Sequence, residues 1–599
     1  MRRVARFAAP ALAAALGCGW LAYSQIGSAN SALLWQRRNL GKAFYENPTM
    51  AQQAVEQFRL ALALAPNSAR ERLNYGLALL RAGELKNGMA ELERVQKQDP
   101  KLPHTWFNLG IAYKKLGDFD KAQAEFEQMV RLAPDDPTSH YQLGALYKSK
   151  DQRDAAIREF EKARDLNPRL AAPHFQLYGL YRQADRPESA AELATFQDLK
   201  KEQEGAAVPE DPEWSVYAEI YDPIDEPPSP PLAASVYRSE KIAAGFDQAS
   251  AGVTVLDLDG ARPSLIAWSA GRVALFRDGR TAVSDSGLEG LRDVVFLAPG
   301  DFDNDGLPDL CVVTKQGASL YRNVKGRFEK QSDLATGSFR KAVWLDFDHD
   351  YDQDLFLIGV DSRLLRNNGD AGFSDESKRF PFVAGRALDA VPFDLEPDTP
   401  GFDLVVSYQD RTGVLYRDQL GGTYKAIPLD ALPAGATALS AADVNRDGRT
   451  DLAAAGLQLL NRPGQWQVAA APPAFAGGPN VQADFDLDGR LARAWIAKDG
   501  SLNLDRNVAP VYGNWTEVNL EGVKNPKMPL ESKVEVKAGA SYQKATYQGI
   551  PMVFRLGTHT RVDTVRITWP NGMIQNEVNQ AVNRAIAVKE APRLAGSCR

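Results

Sequence analysis

Pro66, Pro100, Pro134 and Pro168 stand 34 residues apart. A strict period of this length means that each unit meets the next in the same way, so the segment must build by stacking. Other positions keep the same beat: Gly76, Gly110 and Gly144; Tyr45, Leu79, Tyr113, Tyr147 and Tyr181; Ala54, Gly88, Ala122, Ala156 and Ala190; Phe58, Leu92, Phe126 and Phe160. Between the prolines, apolar residues fall at helical spacing, as in Trp106, Leu109, Gly110 and Tyr113. Small residues let two helices approach, large ones fill the gap, and proline ends the second helix. The pattern predicts an α-solenoid of about five helix pairs over 35–202, with degenerate first and last repeats acting as caps.

The stretch WFNLGIAYKKLGDFDKAQAEFEQMVRLAP, Trp106 to Pro134, resembles the tetratricopeptide repeat. That resemblance implies a concave groove that binds a peptide or a partner protein. Lys114, Lys148 and Arg182 share the 34-residue spacing, Lys115 sits beside the first, and Arg81 lies one position off the column. On the family pattern these cations face the groove. They are either a solvated cationic face or a clamp for acidic peptides. His140 and His174 occupy the packing position that holds Trp106 and are expected to be structural.

At 203–234 the character changes. VPEDPEWSVYAEIYDPIDEPPSPPL carries seven prolines and many acids, which excludes a regular helix or a central strand. A semi-extended linker is expected, with Trp214, Tyr217 and Tyr221 docking part of it on a neighbour.

A second beat follows over 235–515. GDFDNDGLPDL, Gly300 to Leu310, packs four aspartates into nine residues, and like charges so close repel. Related stretches begin at Asp257, Asp346, Asp394, Asp443 and Asp484, at intervals of 44, 45, 48, 49 and 41 residues. A period near 45 with several short apolar runs per unit predicts a six- or seven-bladed β-propeller, each acidic loop joining the first two strands of a blade. Strands near Val236–Phe246 or after Val508 could close a seventh blade.

Alternating acids in a tight loop aim oxygens at one point. Side chains at positions 1, 3, 5 and 9 and the carbonyl at 7 can surround Ca2+, and a glycine at 6 allows the sharp turn. Two loops are complete: Asp301, Asp303, Asp305, Leu307 carbonyl and Asp309; and Asp443, Asn445, Asp447 and Asp451. The Asp346 loop keeps Asp346, Asp348, Asp350 and Asp354, but Tyr351 replaces the glycine, so a reshaped loop is expected. The Asp394 loop keeps Asp394, Glu396, Asp398 and Asp403 and is one residue longer. Asp484, Asp486 and Asp488 are followed by Ala492 in place of the last acid, and the Asp257 loop is two residues short. The loops resemble the FG-GAP (VCBS-type) loops of integrin α-subunit propellers and their bacterial relatives, which implies calcium.

From 516 to 590 the beat stops and apolar and polar residues alternate, as strands do. Val534, Glu535, Val536, Phe554, Leu556, Gly557, Asp563, Val565, Ile567, Trp569, Pro570 and Gly572 make this small β module similar to the ASPIC/UnbV domain. Trp569 and Asp563 are either a recognition pair or a core tryptophan and a turn acid. A tail, 591–599, ends the chain.

Residues 1–32 read as an export leader. Arg2, Arg3 and Arg6 precede an apolar run, Phe7 to Tyr23, then small polar residues. The run suits a cleaved signal peptide or an uncleaved membrane anchor, and Cys18 gives it a faint lipoprotein character. Either way the body is expected outside the cytoplasm, periplasmic, on the cell surface or secreted. A net charge of −7 is too mild for a nucleic-acid partner. Cys311 and Cys598 could pair or stay free, and the sequence holds no P-loop and no GxGxxG. The expectation is a calcium-binding interaction scaffold and not an enzyme: protein at the helical groove, protein or glycan at the propeller. The alternative is a lyase or hydrolase acting on polysaccharide, which would need acids outside the loops converging with raised pKa values.

Overall fold

The computed structural model describes residues 30–202, 211, 213–224, 235–260, 262–395, 401–470, 479–510 and 512–591. The leader with Cys18, the calcium candidates Glu396 and Asp398, and Cys598 lie outside the described residues. The chain divides into two compact units, 1–223 with 594–599, and 224–593.

The first unit is a stack of helix pairs: α1 (30–45), α2 (Ala51–Leu64), α3 (Ala69–Arg81), α4 (Leu85–Gln98), α5 (Pro103–Lys115), α6 (Phe119–Leu132), α7 (Pro137–Ser149), α8 (Arg153–Leu166), α9 (Ala171–Gln183) and α10 (Ser189–Glu202). Each 34-residue column has a physical job. A Cβ added to Gly110 would come within 2.7 Å of the Phe126 ring, and one added to Gly144 within 2.9 Å of Phe160. Only hydrogen fits where the paired helices cross. The turns inside the pairs use Gly83, Gly117, Asp151 and Asp185, again 34 apart and all at positive φ. Trp106 Nε1 donates to the Pro100 carbonyl at 2.9 Å, and His140 and His174 place Nε2 3.0 and 2.9 Å from the carbonyls of Pro134 and Pro168. The periodic prolines therefore end one helix and offer an acceptor to the next, and the two histidines do the tryptophan's work.

The second unit opens with six four-stranded antiparallel sheets among the described residues. A blade runs Val294–Gly300, acidic loop, Asp309–Thr314, Gly317–Val324, Arg327–Thr336. Its second strand is buried almost throughout, because blades cover it on both faces. Mixed clusters join neighbours: Leu256, Trp268, Leu297 and Phe328 between the first two blades, and Leu345, Phe356, Leu404 and Tyr416 between the third and fourth. Tyr237–Ala243 pairs with Leu502–Asn507 as the outer strand of the last blade, Tyr237 opposite Asn507. The strand near Val236 thus completes a sixth blade and builds no seventh. The strand after Val508, Asn514–Glu521, enters the C-terminal module.

That module has two sheets. Asn514–Glu521 pairs with Met552–Gly557 and, in parallel, with Arg584–Lys589. Lys533–Ala538 lies between Ser541–Thr546 and Arg561–Thr568, and the latter also pairs with Ile574–Ala581. Val534, Val536, Phe554, Val565 and Ile567 are buried, and Trp569 is 1% exposed, a core residue. Asp563 accepts the Gly539 N–H at 2.8 Å and pins a turn.

Candidate functional sites in the acidic loops and the helical groove

In the Asp301 loop, Asp301, Asp303 and Asp309 each place one carboxylate oxygen within 4.8 Å of the others. The loop is wound on its first aspartate. Asp305 N–H reaches Asp301 Oδ1 at 3.1 Å and Gly306 N–H reaches Oδ2 at 2.9 Å, with Gly306 at φ +89°. Asp309, first residue of the second strand, accepts the Asn323 N–H at 2.6 Å and the Phe302 N–H at 3.3 Å. Burial pushes Asp309 up to about 8 and Asp301 up to about 6. Asp305 stays outside this cluster, and its Oδ2 takes Arg322 at 3.2 Å.

Asp346, Asp348 and Asp354 make the same cluster in the next blade. Tyr351 adopts φ +71° and donates its N–H to Asp346 Oδ2 at 3.0 Å, as Gly306 does to Asp301. The expected reshaping does not occur; the fold accepts a tyrosine in the left-handed region, at a cost of about 1–3 kcal/mol, to keep the turn. Asp346 Oδ1 and Asp348 Oδ1 are buried and have no hydrogen-bond partner. Burial pushes Asp346 up to about 7 and Asp354 up to about 9. His349 reaches across to Asp418 of the following blade at 3.0 Å; burial alone would lower it, and the Asp418 carboxylate raises it to about 9.

The other loops differ. At Asp443 the turn repeats, with Gly448 N–H on Asp443 Oδ2 at 2.9 Å, but Asn445 turns its amide toward Asp447 at 3.0 Å, and Arg462 takes Asp447 at 2.6 Å. Asp484 keeps the turn through Gly489 N–H at 2.6 Å, while Asp486 pairs with Arg280 at 2.6 Å. Asp257 accepts Gly260 N–H at 2.9 Å, and Asp259 pairs with Arg277. At Asp394 two ammoniums take the carboxylate, Lys533 Nζ at 2.6 Å and Lys544 Nζ at 2.8 Å. Burial alone would raise Asp394; the two lysines outweigh it and hold the acid below its ordinary value. Asp403 pairs with Arg417 at 3.0 Å.

The loops also meet the C-terminal module. Lys527 N–H donates to Asn304 Oδ1 at 2.7 Å, and Glu531 accepts the Asp346 N–H at 3.0 Å. A Cβ on Gly489 would lie 1.9 Å from the Trp515 ring, and one on Gly448 3.2 Å from Tyr542. Lys533 and Lys544 are therefore two of several module residues seated on the acidic loops.

Sequence reasoning missed a second set of residues. Asn323, Asn367, Asp418 and Asn461 each donate a backbone N–H to the ninth-position aspartate of their own blade, at 2.6 to 2.8 Å. The side chains of Asn323 and Asn367 reach back to carbonyls of the preceding blade's loop, Leu258 at 3.1 Å and Phe302 at 2.8 Å. Beside them, Arg322, Arg366, Arg417 and Arg462 each pair with loop acids. The signal was present as Arg-Asn, Arg-Asn, Arg-Asp and Asn-Arg pairs, 10 to 15 residues after the ninth aspartate.

In the helical array the groove is lined by α1, α3, α5 and α7, and residues 213–222 lie along it. Glu213 pairs with Lys114 at 3.0 Å and Lys115 at 3.5 Å. Ser215 donates to Asp136 at 2.8 Å, and the Trp214 carbonyl accepts from Thr138 at 2.8 Å. Asn108 donates to the Tyr217 carbonyl at 2.7 Å, and Tyr45 to the Ala218 carbonyl at 2.8 Å. Asn74 takes both the N–H and the carbonyl of Tyr221, at 2.9 and 3.0 Å. Asp222 pairs with Arg70 at 2.8 Å and Lys42 at 3.2 Å. His104 sits between the rings of Tyr217 and Tyr221, 5.2 and 5.0 Å away. Of the other predicted cations, Lys148 donates to Gln176 at 2.7 Å and Arg182 to the Tyr178 hydroxyl at 3.0 Å, while Arg81 stacks over Tyr45 at 4.9 Å.

A helical repeat array whose groove holds residues 213–222, a bladed propeller with acidic loops and a small β module define a multidomain interaction architecture. Models of the tetratricopeptide repeat match 103–136 and 137–170, the FG-GAP-like repeat model matches 301–357, and the ASPIC and UnbV model matches 524–594. The chain carries all three kinds of module. Among solved structures, MamA from Desulfovibrio magneticus RS-1 (its residues 41 to the end) is 22% identical, over 29% of this chain and 98% of that one, with a TM-score of 0.27. YrrB, described as a TPR protein with an unusual peptide-binding site, is 18% identical over 26% of this chain and 79% of that one, with a TM-score of 0.23. Scores this low identify neither fold nor partner. No curated protein matches.

Proposed function

We propose that this chain is an exported, calcium-stabilised scaffold without catalytic action, whose helical groove takes a protein partner. The observation that carries the calcium reading is the pair of three-carboxylate clusters, with Asp346 Oδ1 and Asp348 Oδ1 buried and unpartnered. Buried polar atoms are otherwise bonded, and an unmet oxygen is costly. Asp301, Asp303 and Asp309, and Asp346, Asp348 and Asp354, would hold the ions. Calcium supplies the positive charge that lets the carboxylates of each cluster ionise together, in place of the protons that the raised pKa values of Asp309 and Asp354 would retain. At Asp394 the lysines already supply that charge, so this loop needs no ion.

Export rests on the leader's basic, apolar, small-residue order, and outside the cytoplasm calcium is plentiful enough to fill sites of 10⁻⁴–10⁻³ M affinity, roughly. Among the described residues no helix is long and apolar enough to cross a membrane. A protein or glycan partner of the propeller would use surfaces other than the loops seated against the C-terminal module. For the polysaccharide-cleaving alternative, acids with raised pKa would have to gather elsewhere. Among the described residues such acids lie in the loops or, like Glu517 and Glu531, against them. Glu125 is the exception, bonded to Gln96 at 2.7 Å.

The test is a calorimetric calcium titration of the full chain. Asp301→Ala with Asp309→Ala should remove one set of sites, and Asp259→Ala should remove none. A wild-type chain that takes up no calcium would overturn the reading.

A further inference from the structure

The groove is filled by the chain's own residues, and the manner of filling says what it accepts. Five of the contacts are to main-chain atoms: the carbonyls of Trp214, Tyr217, Ala218 and Tyr221 and the N–H of Tyr221. The segment makes one 3-10 turn, Val216–Ala218; side chains that read its backbone leave specificity to the ends and the pockets. Here the ends are acidic. Glu213 meets two lysines and Asp222 meets an arginine and a lysine, nine residues apart. Between them two tyrosines bracket His104.

The reading apparatus follows the helical repeat: Gln142 accepts from Lys114 at 2.8 Å, beside Glu213, and Gln176 from Lys148 at 2.7 Å. Asn74 and Asn108 fall on one 34-residue column, which continues as Gln142 and Gln176. The segment runs against the order of the helices, from α5 at Glu213 and α7 at Trp214 and Ser215 to α3 and α1 at Asp222. Beyond Glu213 lie Lys148 and Arg182, and among the described residues neither is paired with an acid.

We propose that Glu213–Asp222 is a displaceable occupant of a peptide-binding groove, and that the partner replacing it is a peptide segment with the same central turn, bearing acids and tyrosines at this spacing, with further acids that reach Lys148 and Arg182. This rests on the protein-binding reading of the groove and names its ligand. Competition in cis fixes the expected numbers. A tethered occupant acts at an effective concentration on the order of 1 mM, so a free peptide of the same sequence binds the intact chain no more tightly than about that value, whatever its intrinsic affinity. The natural partner overcomes the tether with the extra ion pairs.

The probe is a fluorescent peptide, EWSVYAEIYD, titrated by anisotropy into the full chain. In a released chain, with Glu213→Ala, Tyr217→Ala, Tyr221→Ala and Asp222→Ala, binding should tighten at least tenfold. Adding Asn74→Ala and Asn108→Ala should return it to the wild-type level. Equal binding by released and wild-type chains, or binding that survives loss of both amides, overturns the proposal. A second measurement needs no variant: several-millimolar acetylated peptide should speed hydrogen exchange of 213–222 in the wild-type chain, and unchanged exchange overturns displacement. Either failure leaves the calcium reading and its titration untouched.

Discussion

Asp309, Asp354, Asp403 and Asp451 show how one residue serves two ends. Each starts the second strand of a blade and turns its carboxylate toward the loop, where a backbone N–H of the third strand holds it. Their identity as candidate ligands was legible from spacing alone. Their arginine and asparagine companions were not, because those lie on the third strand and the pairing depends on register, which alternation does not specify. His104 is a second case. Its spacing from Trp106 said nothing, and only the returning segment gives it two tyrosine neighbours. Loss of water there pushes it down to about 4. The sign follows: a neutral ring favoured by the fold contributes fully above about 6.5 and loses that contribution as pH falls toward 4. Between pH 7 and pH 5, above the range in which ordinary carboxylates protonate, protection of the Tyr221 amide should fall. His104→Phe should remove the dependence. Equal protection at both pH values in the wild-type chain would show that the ring does not control docking.

At the scale of elements, the Asp394 loop is the instructive one. By composition it resembles its neighbours and differs by one extra residue. The structure instead brings Lys533 and Lys544, from two adjacent strands of the C-terminal module, onto its first carboxylate. No local pattern reveals a partner 139 and 150 residues away. Asp394 is 3% exposed and the Lys544 side chain 4%, so Lys544→Ala leaves a buried acid with half its compensation. The expected loss is on the order of 3–5 kcal/mol, read as a lower denaturation midpoint of the propeller. Adding Asp394→Asn should recover most of it, since breaking one side of a buried pair costs more than removing both. A Lys544→Ala midpoint equal to wild type would show that Lys533 alone suffices. The linker teaches the same lesson in reverse: its aromatics announced docking, and its prolines excluded regular structure, but the groove that receives it could be identified only through the helical columns it touches.

For the whole molecule, two periods were enough to divide the chain, 34 residues for the helical array and about 45 for the blades. Both are properties of stacking, so they survive in sequence. Ring closure does not, because the first strand after the linker joins the last blade, and only that pairing separates six blades from seven. The central claim is that cations bound in the acidic loops hold the propeller together. An ion at about 100 times its Kd stabilises by about 2.7 kcal/mol per site, and two good clusters double the effect. Differential scanning calorimetry of the full chain with calcium and with chelator is the most direct measurement. The account predicts that chelator lowers the propeller transition and leaves the helical transition in place. Identical propeller transitions in both, with no ion retained, would contradict it and reduce the aspartates to solvated turns.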